Sequence, residues 1–337
     1  GLRISEVGFG GIPIQRLSHE EAVATVRGCL ELGVTLLDTA HGYTTSEERI
    51  GAAIAGRRQG LVLASKTPAT TAAEARAHLE MSLRRLGVEH IDIYQLHNVS
   101  TERLAQVLAP GGAVGALKQA QEQGLIGHIG ITCHQKEAAL QAVQTGAFAT
   151  MMFPFGAVGA EPGLEVLEAC RRAGMGFFAM KPMGGGMYEH ARPAFQWLRQ
   201  QAAAVPVVGI ERVEEMQEIV ALYREPATLS AADEQEIERL QYELGNSYCR
   251  RCDYCQPCPA GISMSTVLIV PSAIKRMPAE SVFAPGWVRD EVLKVPDCQD
   301  CGACEERCPY QLPIRRLLKQ VAERYWEAER AFREANS

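Results

Sequence analysis

Eight of the 11 cysteines of this chain lie in two short runs near its C-terminal end. The first cysteine run contains Cys249, Cys252, Cys255 and Cys258, and the second contains Cys298, Cys301, Cys304 and Cys308. Thiolates are soft ligands that suit zinc and iron–sulfur clusters. A chain of 337 residues can bury its own apolar core, so it does not need the disulfide framework of a small secreted domain. The sequence therefore predicts a metal-binding module in a reducing cytoplasm.

The spacing within the two runs favours iron over zinc. The second run reads C-x2-C-x2-C-x3-C-P, a [4Fe–4S] pattern, and the first run is one residue shorter before its last cysteine. In two-cluster modules the fourth cysteine of such a run binds the other cluster. We therefore predict two [4Fe–4S] clusters, with Cys308 completing the ligands of the first run and Cys258 those of the second. A pair of structural zinc sites and a single cluster are the alternatives.

Four further polar residues follow consecutive β-prone segments. Asp38, Tyr43, Lys66 and His97 lie in the stretches DTAHGYTTSE, ASKTP and YQLHN. A carbonyl group under reduction develops negative charge on oxygen and needs a proton, but a free phenol has a pKa of about 10. We expect the ammonium of Lys66, held by Asp38, to lower the pKa of Tyr43. His97 can donate a hydrogen bond to the carbonyl oxygen, so these residues predict carbonyl reduction with Tyr43 as general acid/base.

Eight short apolar runs alternate with amphipathic segments and would position these side chains. The runs span residues 6–10, 34–40, 61–66, 91–97, 128–133, 149–155, 176–181 and 205–210. Their continuous apolar character indicates burial on both faces, as in a parallel sheet. We predict an α/β fold with a (β/α)8 TIM barrel over residues 1–228 and a small, mainly helical, two-[4Fe–4S] ferredoxin-like domain over 229–337. A doubly wound sheet is the alternative, but no GxGxxG motif follows any strand.

The catalytic segments resemble the aldo-keto reductase family. Besides the order of the four polar residues, the resemblance rests on SEERIG after Tyr43 and on LRRLGVEHIDIYQLH around His97. A subgroup of this family carries a ferredoxin-type C-terminal domain, so the resemblance spans nearly the whole chain. It implies that Asp38, Tyr43, Lys66 and His97 are the catalytic tetrad, and that a nicotinamide cofactor lies across the ends of strands five to eight.

The residues at the implied cofactor site depart from the family pattern. By position they are Thr132, Cys133, Met152, Met180, Lys181, Gly209 and Arg212. Met152 replaces an amide-bearing residue, and Met180 replaces the aromatic residue that stacks on nicotinamide. Glu215 lies where the family places a cation for the 2′-phosphate, which favours NADH over NADPH by the sign of its charge. The glycine-rich loop KPMGGGM (181–187) offers backbone N–H groups to a pyrophosphate.

Three functional hypotheses follow. The first is an iron–sulfur oxidoreductase that reduces a carbonyl, or oxidises the alcohol, with NAD(P)H as hydride donor. The second is a nicotinamide-independent reductase that receives single electrons through the clusters from a ferredoxin-like partner. The third is a redox-sensing or electron-carrier subunit in which the barrel is only a scaffold. Each of the first two acts on a small-molecule carbonyl or alcohol substrate.

The composition of the chain argues against a nucleic-acid-binding protein and against a membrane protein. The formal net charge of −6 gives no reason to expect nucleic acid as a partner. The longest apolar runs are too short to span a bilayer, and the first residues lack the apolar segment of a signal peptide. We therefore expect a cytoplasmic enzyme without a membrane partner.

Overall fold

A closed barrel of eight parallel strands forms the N-terminal part of the chain. The structure is a computed structural model that describes residues 1–245 and 247–336. The strands are β1 (Gly8–Gly10), β2 (Leu36–Asp38), β3 (Val62–Thr67), β4 (Ile91–Leu96), β5 (Ile126–Thr132), β6 (Thr150–Pro154), β7 (Gly176–Met180) and β8 (Ala204–Gly209). Each strand pairs in parallel with the next, and β8 closes the ring on β1. The predicted (β/α)8 barrel is confirmed, and each predicted apolar run overlaps one strand.

Within the described residues, 16 α-helices accompany these strands. They are α1 (His19–Glu31), α2 (Ser46–Ile54), α3 (Ala72–Leu86), α4 (Thr101–Leu108), α5 (Ala113–Glu122), α6 (Lys136–Gln144), α7 (Glu161–Arg172), α8 (Ala191–Leu198), α9 (Val213–Leu222), α10 (Ala231–Gly245), α11 (Met264–Leu268), α12 (Val270–Arg276), α13 (Ala279–Phe283), α14 (Trp287–Leu293), α15 (Ala303–Glu306) and α16 (Ile314–Ala335). Short 3-10 helices span Pro13–Arg16 and Val295–Asp297. None of the described helices combines the length and the apolar character that crossing a bilayer requires.

Local sequence signals explain where two of the barrel helices begin. The hydroxyl of Ser18 accepts a hydrogen bond from the backbone N–H of Glu21 (3.2 Å), and the carboxylate of Glu21 accepts one from the N–H of Ser18 (2.9 Å). This reciprocal pair satisfies donors that the first turn of α1 leaves open. At the start of α3, the hydroxyl of Thr71 accepts a hydrogen bond from the N–H of Glu74 (3.4 Å). The apolar stripe of α3 then turns Leu79 into the layer between helices and strands.

The barrel has two apolar regions. The larger region lies between the strands and the surrounding helices and contains fully buried residues such as Phe9, Leu37 and Leu79. The smaller region fills the barrel interior and includes Leu36, Ile93, Met152, Phe178 and Val207. The interior of the barrel is thus packed with side chains rather than open as a pore, which leaves chemistry to the strand ends.

The C-terminal residues form a second, separate apolar core. It extends from Cys255 to Tyr325, and the hydroxyl of buried Tyr325 donates a hydrogen bond to the carbonyl of Val282 (3.0 Å). The predicted boundary at residue 228 lies between α9 and α10. Helix α10 packs against α8 of the barrel, and its Leu240 belongs to the barrel core. We use "C-terminal domain" below for residues 247–336, whereas the exact position of the boundary stays a prediction.

The C-terminal domain docks on the face of the barrel where the strands end, which we call the mouth. The side chain of Gln135, in the loop after β5, donates to the carbonyl of Cys252 (2.9 Å). The hydroxyl of Ser272, on α12, donates to the carbonyl of Gly185 in the loop after β7 (2.6 Å). A guanidinium from the loop after β1, that of Arg16, donates to the carbonyl of Lys275. The first cysteine run is therefore held beside the strand ends that carry the polar residues.

Candidate active site

The structure brings the four predicted catalytic side chains together at the mouth. Asp38 ends β2, Lys66 lies near the end of β3, His97 directly follows β4, and Tyr43 lies in the loop after β2. The Nζ atom of Lys66 lies 2.5 Å from the Oδ2 atom of Asp38 and 5.0 Å from the centre of the Tyr43 ring. The rings of Tyr43 and His97 meet edge to face, with their centroids 5.7 Å apart. Side chains from three consecutive βα units thus face one small space.

Lys66 and Asp38 form a buried ion pair, and each depends on the other for its charge. Lys66 is only 1% exposed and also donates to the carbonyl of Thr39 (2.7 Å), while the amide of Gln95 donates to Asp38 (3.0 Å). Burial alone would lower the pKa of Lys66, but the charge and hydrogen bond of Asp38 together with the effect of Tyr43 outweigh burial and raise it. Burial raises the pKa of Asp38, and the ammonium of Lys66 opposes the rise. Asp38 therefore holds the positively charged ammonium of Lys66 in a fixed place beside Tyr43.

Burial raises the pKa of Tyr43, although the charge of Lys66 lowers it. The sequence predicted a net lowering, and that prediction is wrong because desolvation of the phenolate exceeds the attraction of the lysine. Burial also lowers the pKa of His97 to about 3, with a further contribution from Lys66. At neutral pH Tyr43 therefore holds its proton, and His97 is a neutral imidazole with one N–H to donate. Both side chains keep part of their surface exposed, so a ligand can reach them.

A second polar group at the mouth joins Lys181, which the sequence placed at the cofactor site, to His134 and Asn98. The Nδ1 atom of His134 lies 2.8 Å from the Oδ1 atom of Asn98, and the Nζ atom of Lys181 lies 3.1 Å from Nε2. Because an ammonium only donates, Nε2 accepts from Lys181 and Nδ1–H donates to Asn98. Burial and, to a smaller extent, the charge of Arg251 together lower the pKa of Lys181 to about 7. The positive φ of 54° at Asn98 is a local feature that residue types alone do not reveal.

The residues predicted to contact a nicotinamide differ widely in their burial and surroundings. Thr132 accepts a hydrogen bond from the backbone N–H of Asn98 (2.7 Å), and Cys133 is fully buried between strands and helices, where burial raises its pKa. Met152 lies in the barrel interior, and Met180 packs against it. Gly209 ends β8, whereas the side chain of Arg212 at the start of α9 is 72% exposed. Their contact with a cofactor stays a prediction.

The glycine-rich loop after β7 is in contact with the C-terminal domain. Gly184, Gly185 and Gly186 have φ angles of 57°, 68° and 89°, which favour glycine. The carbonyl of Gly185 accepts from Ser272, and a Cβ atom on Gly186 would lie 2.6 Å from the Nε atom of Arg276. The loop therefore lies directly against α12. Nearby, Tyr248, Arg250 and Tyr310 of the C-terminal domain line a cleft shared with His134 and Lys181.

The eight clustered cysteines separate into two groups. Cys258, Cys298, Cys301 and Cys304 line one cavity of about 370 Å³, together with apolar residues such as Ile262 and Leu318. Burial raises the pKa of Cys252 and Cys255 to about 12, and the nearby thiolates of Cys249 and Cys308 add to this. Across residues 1–245 and 247–336, no group of three or more His, Cys, Asp or Glu side chains is arranged to hold a metal ion.

Comparison with known proteins gives the family. A model of the aldo/keto reductase family matches residues 6–194, which is more than half of the chain. The aldo-keto reductase str7 of Strobilurus tenacellus is 28% identical over 205 residues, which are 55% of this chain and 60% of that protein. This chain thus spans about three fifths of the length of that curated relative.

Solved structures agree on the fold. An aldo-keto reductase of Bacillus halodurans in its holo form is 21% identical, with a TM-score of 0.61 over 71% of this chain and 93% of that one. An aldo-keto reductase of Klebsiella pneumoniae in complex with NADPH is 22% identical, with a TM-score of 0.61 over 71% and 91%. Fold and site define an α/β-barrel protein with a polar site at the barrel mouth. The chain belongs to the aldo/keto reductase family, which is a family of oxidoreductases.

The buried ion pair predicts a measurable loss of stability. Replacing Asp38→Asn leaves the buried ammonium of Lys66 without its carboxylate, and breaking a buried pair costs about 3–5 kcal/mol. The double variant Asp38→Asn with Lys66→Met removes both charges, so we expect it to lose less stability than Asp38→Asn alone. Urea unfolding of the three proteins measures the difference. Equal losses for the single and double variants would contradict the mutual dependence of the two charges.

Proposed function

We propose that this protein is an oxidoreductase that reduces a carbonyl group, or oxidises the corresponding alcohol, with Tyr43 as general acid/base. The observation that carries the proposal is the meeting of Tyr43, His97 and the Lys66–Asp38 pair at the barrel mouth. As the carbonyl is reduced, negative charge grows on its oxygen, and the proton of Tyr43 neutralises it. The neutral His97 donates a hydrogen bond that orients the same oxygen. Lys66 then stabilises the phenolate that remains after proton transfer.

Removal of the phenol hydroxyl tests this role. We expect Tyr43→Phe to lower kcat for carbonyl reduction by about 100-fold or more, because proton donation in the transition state contributes on that order. The ring is kept, so the packing against His97 is retained. Tyr242→Phe is the matched control, since Tyr242 is 88% exposed on α10 and should keep its full rate. Unchanged turnover in Tyr43→Phe would contradict the proposal and revive the reading of the barrel as a scaffold.

We further propose that the C-terminal domain holds two [4Fe–4S] clusters with crossed ligands. Cys249, Cys252, Cys255 and Cys308 would hold one, and Cys258, Cys298, Cys301 and Cys304 the other. When bound, such clusters supply single-electron transfer. What supports the second set is that its four cysteines line one cleft, although their thiols are not gathered closely enough to form a metal site without rearrangement. A single zinc ion would instead draw four thiolates to within about 2.3 Å of one point.

Pairs of cysteine variants separate crossed from uncrossed ligands. If the ligands cross, Cys249→Ser with Cys308→Ser removes ligands from one cluster only, and about half of the iron should remain. Cys249→Ser with Cys258→Ser then affects both clusters. Iron and sulfide counts on anaerobically purified protein measure the difference, with Cys170→Ala as a control thiol outside the two runs. If instead Cys249→Ser with Cys258→Ser keeps about half of the iron and Cys249→Ser with Cys308→Ser affects both clusters, each run holds its own cluster. Zinc in place of iron would overturn the cluster proposal.

Two sources of electrons remain for the carbonyl. Hydride from NAD(P)H is the family's expected route, and the Klebsiella pneumoniae relative was solved with NADPH. A specific observation favours delivery of electrons through the clusters instead. Helix α12 lies on the glycine-rich loop, where the hydroxyl of Ser272 donates a hydrogen bond to the carbonyl of Gly185 and the side chain of Arg276 lies against Gly186. With α12 in place, the loop lies against protein atoms rather than free for a pyrophosphate. A dinucleotide bound along this loop would have to displace the contact between the loop and α12.

Anaerobic titration distinguishes the two sources. If electrons arrive through the clusters, dithionite or a reduced ferredoxin should bleach the cluster absorption and support turnover, whereas NADH and NADPH should do neither. The control is Ser272→Ala, which removes the hydroxyl that holds Gly185 and leaves the cysteine runs intact. Bleaching by either nicotinamide in the unaltered protein would support hydride donation, and its appearance only in Ser272→Ala would identify α12 as the obstacle.

A further inference from the structure

Gln95 is a fully buried amide that contacts the ion pair of the site. It lies on β4, two residues before His97, and pairs in the sheet with Lys66 of β3. Its Nε2 atom donates a hydrogen bond to the Oδ1 atom of Asp38 (3.0 Å), whereas the ammonium of Lys66 donates to the Oδ2 atom. Each oxygen of the carboxylate thus has a donor, one from β3 and one from β4. The carboxylate cannot turn without breaking one of these hydrogen bonds.

The other half of this amide has no hydrogen-bond partner in the part of the chain that the structure describes. The Oε1 atom of Gln95 is buried there and unpaired. An ionised carboxylate only accepts, so the N–H side of the amide faces Asp38 and Oε1 turns away from it. A buried, unpaired acceptor is destabilising, and an apolar side chain of similar size would avoid it. The contact with Asp38, rather than stability, is therefore what distinguishes an amide at this position.

Thr150 has nearly the same surroundings as Gln95 but not its contact. In the sheet Gln95 pairs with Gly130 of β5, and Gly130 pairs with Thr150 of β6. A Cβ atom on Gly130 would lie 2.4 Å from the Oγ1 atom of Thr150 and 2.8 Å from the Cγ atom of Gln95, so both side chains lie over this glycine. Among the described residues, the hydroxyl of Thr150 is buried without a hydrogen-bond partner. Thr150 is therefore a matched control for a buried polar side chain that does not reach the ion pair.

We propose that Gln95 is a positioning residue that keeps Asp38 ionised and turned toward Lys66. An N–H that donates to the charged form of a carboxyl group favours that form. With one oxygen held by Gln95, the other stays within hydrogen-bond distance of Lys66, which keeps the ammonium charged and in place. Gln95 is 0% exposed, so it acts through Asp38 and not on the substrate. The inference rests on the proposed function, in which Lys66 stabilises the phenolate of Tyr43.

The charged and titratable groups around Asp38 determine the sign of the pH effect. Burial raises the pKa of Asp38, whereas the charge of Lys66 and then the hydrogen bonds from Lys66 and the buried amide lower it. Tyr43 lies on the other side of Lys66, His97 is neutral, and Arg251 adds a positive charge that acts on both rings. Without the amide N–H, the pKa of Asp38 rises further. The ionised pair, which is present above that pKa, is then lost at a higher pH as the pH falls.

The pH dependence of benzaldehyde reduction by the anaerobically purified holoenzyme tests the proposal. We expect Gln95→Leu to lower kcat about tenfold or more at pH 7 and to leave KM unchanged, because the side chain does not reach the mouth. The acid limb of the kcat profile should move up by about one pH unit. Thr150→Val should keep the rate and the profile of the unaltered protein. A profile of Gln95→Leu that matches that of Thr150→Val would overturn the proposal.

Gln95→Glu gives a signature that a merely structural role would not produce. A protonated Glu side chain at this position can donate to Asp38 as the amide does, so kcat should be restored at low pH. As the pH rises, the second carboxylate ionises, repels Asp38 and competes for Lys66, so kcat should fall. The unaltered protein lacks this second group and should not show the fall. Gln95→Glu keeps the size of the side chain, so it carries the test if Gln95→Leu does not fold, and an unchanged profile would count against the proposal.

Carbon-13 NMR of the aspartate carboxyl carbons reports the charge of Asp38 without any turnover. The signal of Asp38 is identified by its loss in Asp38→Asn. In Gln95→Leu we expect this carboxyl group to take up its proton about one pH unit higher than in the unaltered protein. If the shift occurs but no carbonyl is reduced, the proposed function fails and the role of Gln95 stands. If Tyr43-dependent reduction is found but Gln95→Leu does not move the titration of Asp38, only the inference about Gln95 fails.

Discussion

The ammonium of Lys66 is the charge around which the site is organised. It lies in the protein interior, where Asp38 and the carbonyl of Thr39 accept its hydrogen bonds and compensate its burial. These partners come from β2 and the residue after it, while Lys66 comes from β3, so the contact exists only where the two strands are in register. Because the ammonium is fixed there, it would stabilise a phenolate on Tyr43 in the proposed reaction, and it adds to the burial that lowers the pKa of His97. The proposed acid/base chemistry therefore depends on the ion pair, and the ion pair depends on the pairing of β2 with β3 in the barrel.

The C-terminal domain is placed by the same geometry. In a parallel barrel all the loops that follow strands lie at one face, so a domain that contacts the loops after β1, β5 and β7 necessarily covers part of the mouth. The contacts of Gln135 and Ser272 show how close this cover comes to the polar groups. A covered mouth has less room for a long dinucleotide and a lower local dielectric, which strengthens charge interactions inside it. The unusual methionines at positions 152 and 180 fit this arrangement, because both pack with the barrel interior.

Much of this could be predicted from the sequence, because the signals are local or periodic. Eight apolar runs define eight strands, Ser18 with Glu21 defines a helix start, and the order of strand ends brings Asp38, Lys66 and His97 to one face. Two features could not be predicted. The net pKa of Tyr43 depends on desolvation by residues distant in sequence, and the buried position of Cys133 depends on which face of its strand end turns inward. The contact of Gln95 with Asp38 did have a signal, because Gln95 is the only polar residue besides Asp92 and Tyr94 in the strand IDIYQL.

The spacing of the cysteines does not predict what the two arginines between them contact. In the sequence Arg251 is one of two arginines between cysteines, and such residues are usually surface charges beside a cluster. Its neighbour Arg250 does have a structural role, since its guanidinium lies 4.1 Å from the centre of the Tyr310 ring and donates to the carbonyls of Gly245 and Tyr248. Arg251 itself lies on a turn with a positive φ of 61°, and the carbonyl of the next residue, Cys252, accepts a hydrogen bond from Gln135 of the barrel. The first cysteine run is therefore held from two sides, by Arg250 within the C-terminal domain and by a backbone contact to the barrel, and the spacing of the cysteines reveals neither contact.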